Sequence, residues 1–209
     1  MITIRARIYP QLDKVAEARD FMMEWIKQGQ ANGRKVALAQ RIYTSEGPML
    51  MVPRQYADLA AADAQRKENQ ADAAWMERAN TLATLVREPI RQSIEETLVP
   101  MATPPQQGVV RRVFFYPALD RVPEYRARLE EFVRAAHAAG RTEVSLAQQI
   151  FSETGPLFVG TTTHPDMADL ERVRQERMSA AQGLIDSLAG ISRAPVAVRL
   201  LEVVVPFAR

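Results

Sequence analysis

The side chains in this sequence with the most chemical capacity recur in pairs about 107 residues apart, and their types point first to anion binding. Arg5 and Arg112 stand in alternating segments, ITIRARI and VVRRVFF, with Arg5 opposite in phase to Ile4, Ala6 and Ile8. A guanidinium so placed reaches either a buried anion or, along its aliphatic stem, the solvent at a sheet end. Arg7 repeats the phase of Arg5. Tyr9 and Tyr116 end the two segments, where a phenol either meets a ligand or closes the core. Gln40 and Gln148 lie among Val36, Leu38 and Ile42 and their counterparts; once buried, their amides need partners, in each other or in a ligand. Glu96 and Glu202 interrupt apolar segments. Each reads as a general base of raised pKa or as a carboxylate neutralising Arg5 or Arg112.

Two histidines complete the set. His137 ends a helical stretch where the earlier half has Gln30, and reads as a solvated helix-terminal residue. His164 matches Tyr56, precedes Pro165 at a strand end, and is the better ligand candidate. The absence of cysteine removes disulfides, thiolate metal sites and cysteine nucleophiles. No H-x-E or H-E-x-x-H pattern occurs, so no metal is expected. Phosphate-loop and dinucleotide glycine patterns are absent too, and no cofactor is expected, haem being the one that His164 leaves open. With 27 basic against 25 acidic residues the charge is +2, too weak a field to imply nucleic acid. The segments PMLMVP and PLFVGT also lack the aromatics of an RNA-stacking sheet. The start, MITIRARIYP, has no apolar signal core and no run reaches membrane-spanning length, so the expectation is a cytoplasmic protein without membrane contact.

An internal duplication positions these residues. Aligning 2–34 with 109–141 and 36–51 with 144–159 gives 19 identities in 49 positions. The proline-rich stretch PMATPPQQG ends the first module (1–100) and supplies a linker (101–108) before the second module (109–209). Each copy opens with alternation, then takes helical spacing at Val15, Ala18, Met22, Trp25 and Ile26, matched by Val122, Tyr125, Leu129, Phe132 and Val133. Gly33 and Gly140 end those helices. Paired strands follow at 36–44 and 48–53, and at 144–152 and 156–163, around Ser-Glu-Gly and Glu-Thr-Gly turns. A second helical region over 58–86, broken near Asn69, precedes a fourth strand at 90–99; its counterpart at 196–205 follows a stop at Pro195. The order βαββαβ, twice, predicts an α+β fold: two ferredoxin-like modules, each a four-stranded antiparallel sheet with helices on one face. Bare sheet faces in water are costly, so the copies should pair them as a single-chain α/β barrel.

This plan, with Arg7-x-Tyr9, the Glu46-Gly47 and Thr154-Gly155 turns and Trp75 in the second helical region, resembles the NIPSNAP branch of the dimeric α/β-barrel superfamily over both copies. The resemblance implies a barrel interior used as a small-molecule pocket, in a group that includes cofactor-free monooxygenases, isomerases and haem-binding proteins. The functional expectation is therefore binding, with transformation left open, of a small organic molecule without metal or nucleotide. The alternative is a non-catalytic haem or metabolite carrier or an interaction module, favoured if Met49, Leu50, Met51, Leu157 and Phe158 fill the barrel. Divergent pairs, Arg7 with Phe114, Arg41 with Gln149 and Tyr56 with His164, suit an elongated ligand with an acidic end. Further self-association of the fused chain is compatible with this plan.

Overall fold

The computed structural model describes residues 1–42, 47–102, 106–150 and 155–208. Its eight strands are β1 (Ile2–Ile8), β2 (Leu38–Ile42), β3 (Leu50–Tyr56), β4 (Arg91–Val99), β5 (Val109–Pro117), β6 (Val144–Ile150), β7 (Leu157–His164) and β8 (Ser192–Val205). The α-helices are α1 (Val15–Ala31), α2 (Leu59–Ala71), α3 (Ala73–Ala83), α4 (Val122–Ala138), α5 (Met167–Glu176) and α6 (Met178–Ala189). The fold is α+β, a βαββαβ module in tandem, and the strands follow the closed-barrel order β1-β3-β2-β8-β5-β7-β6-β4. Two compact units result, Met1–Ile94 with Val204–Arg209, and Glu95–Val203. The division falls inside β4 and β8, so each unit's core takes in the end of a strand that begins in the other.

In the first unit Ala18, Met22 and Ile26 of α1 pack on Ala6 and Ile8 of β1, Leu38 of β2, Leu50 and Val52 of β3, and Val205. Spacing of three and four along the helix and two along the strands is the reason these positions meet. The second unit repeats the layer with Tyr125, Leu129 and Val133 on Phe115, Leu146, Phe158 and Val99. Identical devices shape both copies. Gly33 and Gly140, at φ 75° and 81°, end α1 and α4 in the left-handed region that glycine enters without penalty. The carboxylates of Asp58 and Asp166 accept from the backbone N–H three residues on, capping α2 and α5.

The second helical region breaks at Asp72, three residues beyond the expected point, because the Asp72 carboxylate accepts from the Ala74 and Trp75 amides and starts α3. Pro195 does not stop a helix as expected. It lies inside β8, where the register against β5 shifts between Phe114 and Tyr116, and such an irregularity tolerates a residue that cannot donate. Ala102 and Gly108 of the linker are tied down: Ala102 N–H donates to the Thr142 carbonyl and the Gly108 carbonyl accepts from Val203. A side chain at Gly108 would collide with the His164 and Pro165 carbonyls. Residues 43–46, 103–105 and 151–154, which include most of the expected hairpin turns, lie outside the described residues. Among the described residues no helix is long and apolar enough to cross a membrane.

Candidate functional site

Each sheet has a face without helices, and strand register fixes which residues reach it. On β1 this is the phase of Thr3, Arg5, Arg7 and, just beyond the strand, Tyr9, because Ala6 and Ile8 pack on α1. On β5 it is Val110, Arg112, Phe114 and Tyr116, because Val113 and Phe115 belong to the helix-covered core. Arg112 is 2% exposed, and its guanidinium forms a 2.5 Å ion pair with Glu95, also 2% exposed. Directly opposite Arg112, on β8, stands Arg199. The two guanidinium carbons lie 5.1 and 4.7 Å from the centroid of the Phe114 ring, so one aromatic face system carries two cations. Leu157, Val159, Thr161 and Leu201 are buried on this sheet.

The equivalent face of the first unit is differently furnished. Arg5 is half-buried opposite Pro53, and Arg7 lies opposite Met51 with its Nε buried and without a hydrogen-bond partner among the described residues. Met49 and Met51 are fully buried. Tyr9 and Tyr116 perform matching tasks at the strand ends. Arg87 lies 5.9 Å from the Tyr9 ring centroid and Arg193 lies 5.9 Å from that of Tyr116. Arg91 approaches the Tyr9 ring as well, at 5.7 Å. Both repeated arginines also lie against the turn glycines Gly47 and Gly155.

Several sequence expectations are corrected by this geometry. Glu96 and Glu202 are exposed; a strand alternates faces, and the buried carboxylate is the neighbour Glu95, whose counterpart is Leu201. Gln40 and Gln148 lie opposite Leu50 and Phe158, residues of the helix-covered cores, so neither amide shares a face with Arg5 or Arg112. For the same reason Leu50 and Phe158 do not fill the helix-free faces. His164 has the phase of Phe158 and points toward the helix side. It is 4% exposed, with Nδ1 3.0 Å from the Asp169 carboxylate on α5 and Nε2 3.1 Å from the Thr162 hydroxyl. This network fits a proton on Nδ1 donated to Asp169 and a Thr162 hydroxyl donating to Nε2. The bond from His164 and then that from Arg172 hold the Asp169 carboxyl below its ordinary pKa. His137 is half-buried rather than fully solvated: its Nε2 meets the Val144 carbonyl at 2.7 Å, as Gln30 meets that of Val36 at 2.8 Å. Neither imidazole lies on a helix-free face, and His164 has both nitrogens engaged, so the histidines do not fit a haem bound there. Arg5, Arg7, Tyr9, Arg112 and Tyr116 remain on those faces.

A cleft of about 520 Å³ opens in the second unit between the linker end and α5, lined by Gln106, Thr142, Glu143, His164, Arg172 and Arg177 among others. Glu95, Arg199, Asp169 and Arg177 escaped sequence reasoning. The signal for Arg177 was present, in a guanidinium aligned with Asn69 of the first copy.

No family model matches the chain, and no curated protein does. Solved structures do. A "Putative monooxygenase" from Fusobacterium nucleatum superposes with a TM-score of 0.75 at 9% identity, over 100% of this chain and 94% of that one. A "putative monooxygenase" from Lactobacillus acidophilus gives 0.68 at 8% identity, over 100% and 99%. An "anthrone oxidase-like protein" gives 0.66 at 10% identity, over 97% and 91%. At such identities the likeness shows the fold alone, and that fold is the tandem ferredoxin-like α/β barrel.

Proposed function

We propose that this chain binds a small, flat organic molecule with an acidic group against the helix-free face of its second sheet, where Arg112, Arg199, Phe114 and Glu95 meet. The observation that carries the reading is the placement of two guanidiniums on one aromatic ring, one of them held by a buried carboxylate. Exchanging a buried ion pair for apolar residues is commonly neutral or stabilising, so stability gives no reason for this pair. A guanidinium offers a planar fork and stacks on flat π-systems, which matches a planar acid at its charge and at its face. Glu95 is the group to accept a proton from the bound molecule, and Arg112 the group to hold the resulting anion, without metal or nucleotide. The name of the anthrone oxidase-like neighbour fits a flat aromatic of this kind, and the NIPSNAP-like plan is part of the same reading.

The burial of Met49, Met51, Leu157 and Val159 on the helix-free faces favours a second reading, a non-catalytic carrier or interaction module. Titration of the fluorescence of 1-naphthoate at neutral pH separates these. Saturable binding is expected, with the neutral 1-naphthalenemethanol binding more weakly. Arg199→Met is expected to weaken naphthoate by about ten- to a hundredfold, the worth of a charged hydrogen bond. Unchanged affinity in Arg199→Met and in the double variant Glu95→Leu/Arg112→Met overturns the proposal. Absence of saturable binding selects the interaction module.

A further inference from the structure

We infer that the cleft beside α5 is a second binding site, for the phosphate or carboxylate group of a small anion, built around Arg177. This site lies apart from the Arg112 face and does not depend on it. Arg177 has a buried Nε without a hydrogen-bond partner among the described residues. Arg177 borders the cleft and forms no ion pair among the described residues, whereas Arg172 beside it is bound by Asp169 and by Glu176 at 2.7 Å. The neighbouring Arg141 pairs with Glu143, its Nε 3.4 Å from the carboxylate. Burial first, and then the nearby Arg177 charge, push the Arg141 pKa below its ordinary value. Glu143, Asp169 and Glu176 also line the cleft, but they are turned to Arg141 and Arg172, which leaves the Arg177 charge for an anion.

The first copy shows what occupies the equivalent ground when no ligand is needed. Arg34, the counterpart of Arg141, lies 3.9 Å from Glu68, and the counterpart of Arg177 is the buried, neutral Asn69. Asp72 caps the N-terminus of α3 there. In the second copy the position of Asp72 is taken by Ala180, α6 begins at Met178 with no side-chain cap, and Glu176, the counterpart of Glu68, is turned to Arg172. The first copy thus sets a neutral Asn69 beside a capped helix start, where the second has the Arg177 guanidinium and an uncapped helix start, whose partial positive charge adds to the same end. The Thr142 and Thr163 residues that line the cleft, together with Gln106 and Gln107, surround it with hydrogen-bonding groups.

Calorimetric titration of the full chain with inorganic phosphate and, separately, with acetate, against chloride at matched ionic strength, tests the site. Saturable binding of at least one probe is expected. Preference for phosphate assigns a phosphorylated ligand, preference for acetate a carboxylic one. Arg177→Asn, which installs the first-copy residue, is expected to lower the affinity at least tenfold, and Arg177→Lys to lower it less. Arg34→Gln should leave it unchanged. Absence of saturable binding, equal affinity in Arg177→Asn, or equal loss in Arg34→Gln overturns the inference. Acetate binding that survives Arg177→Asn but is lost in Arg199→Met belongs to the sheet face and also counts against it. Should Arg177→Asn lose its near-ultraviolet dichroism, Arg177→Lys carries the test.

Discussion

The two copies build the helix-covered layer with their aromatic bulk placed in different spots. At one position of the first helix stand Ala18 and Tyr125, both fully buried, and beneath them on the third strand stand Leu50 and Phe158. The second unit therefore stacks Tyr125 on Phe158, ring centroids 6.1 Å apart. The first unit places its aromatic volume further out, with Trp25 edge-on to Phe21 and to Trp75 at 5.8 and 5.7 Å. The positions of Trp25 and Trp75 hold Phe132 and Gly183 in the second copy, and a Cβ added at Gly183 would touch nothing within 4 Å. Cores tolerate such relocation when total volume and pattern are kept. The helix-free faces show no such exchange of like for like. There the second unit sets Arg112 and Arg199 on Phe114 and pairs Arg112 with Glu95, while the first sets Arg5 and Arg7 among Pro53 and methionines. Packing constrains the former layer, whereas the latter differs between the units in its polar chemistry.

The largest expected effect breaks that polar difference. Glu95→Ala leaves the Arg112 guanidinium buried without this carboxylate, and should cost about 3–5 kcal/mol of stability in urea unfolding. Glu202→Ala, on the exposed phase, should stay within about 0.5 kcal/mol. The double variant Glu95→Leu/Arg112→Met, which makes position 95 resemble Leu201, should return close to the parent stability. Equal losses for the two glutamates would remove the assignment of faces on which the comparison rests.

A smaller effect sharpens the contrast in the helix layer. The Tyr125 hydroxyl lies 3.1 Å from Ser192 Oγ, and burial raises its pKa above the ordinary 10.0, with the Ser192 bond opposing this. Because the folded chain holds the proton more tightly than the unfolded one, this contribution is complete below pH 10 and is lost as pH rises through the folded value. Tyr125→Phe should cost about 1 kcal/mol at neutral pH and flatten the alkaline limb of stability above that point. The position held by Ala18 in the first copy has no such titration, so the limb should be unaffected by Met22→Leu in the first unit.

The duplication, the order of elements and the cores were legible because periodicities of 2 and 3.6 are carried by many residues at once. Arg112 and Tyr116 were legible for the same reason, as repeated positions in one strand phase. Glu95 was hidden by the two-residue period itself: EE occurs in β4, alignment with Glu202 selects Glu96, and one step along a strand reverses the face. Gln40 and Gln148 were misplaced because a polar residue among apolar ones indicates a buried strand without saying which layer covers it. His164 lies five residues from Asp169, across a turn and a helix start, and the sequence carries no period that joins a strand end to the next helix. Arg177 needed the pseudo-symmetric comparison, since a lone arginine in a charged stretch between two helices has no distinguishing pattern.

The smallest expected effect tests whether the copies interchange where they perform one task with different residues. Gln30 and His137 both tie the end of the first helix to the start of the second strand, through the Val36 and Val144 carbonyls. The tasks are not identical, because Gln30 Nε2 also donates to Pro206 at 2.6 Å, and an amide NH2 has two hydrogens to give. A neutral imidazole has one N–H. His137→Gln therefore replaces one donor by two where one is used, and should change stability by no more than about 0.5 kcal/mol, against about 1 kcal/mol for His137→Ala. Gln30→His keeps the Val36 bond or the Pro206 bond but not both, and should cost about 1 kcal/mol. Unfolding midpoints of these three variants give the comparison directly: equal costs for the two swaps would mean that the second bond of Gln30 contributes nothing, and that the copies differ here in name only.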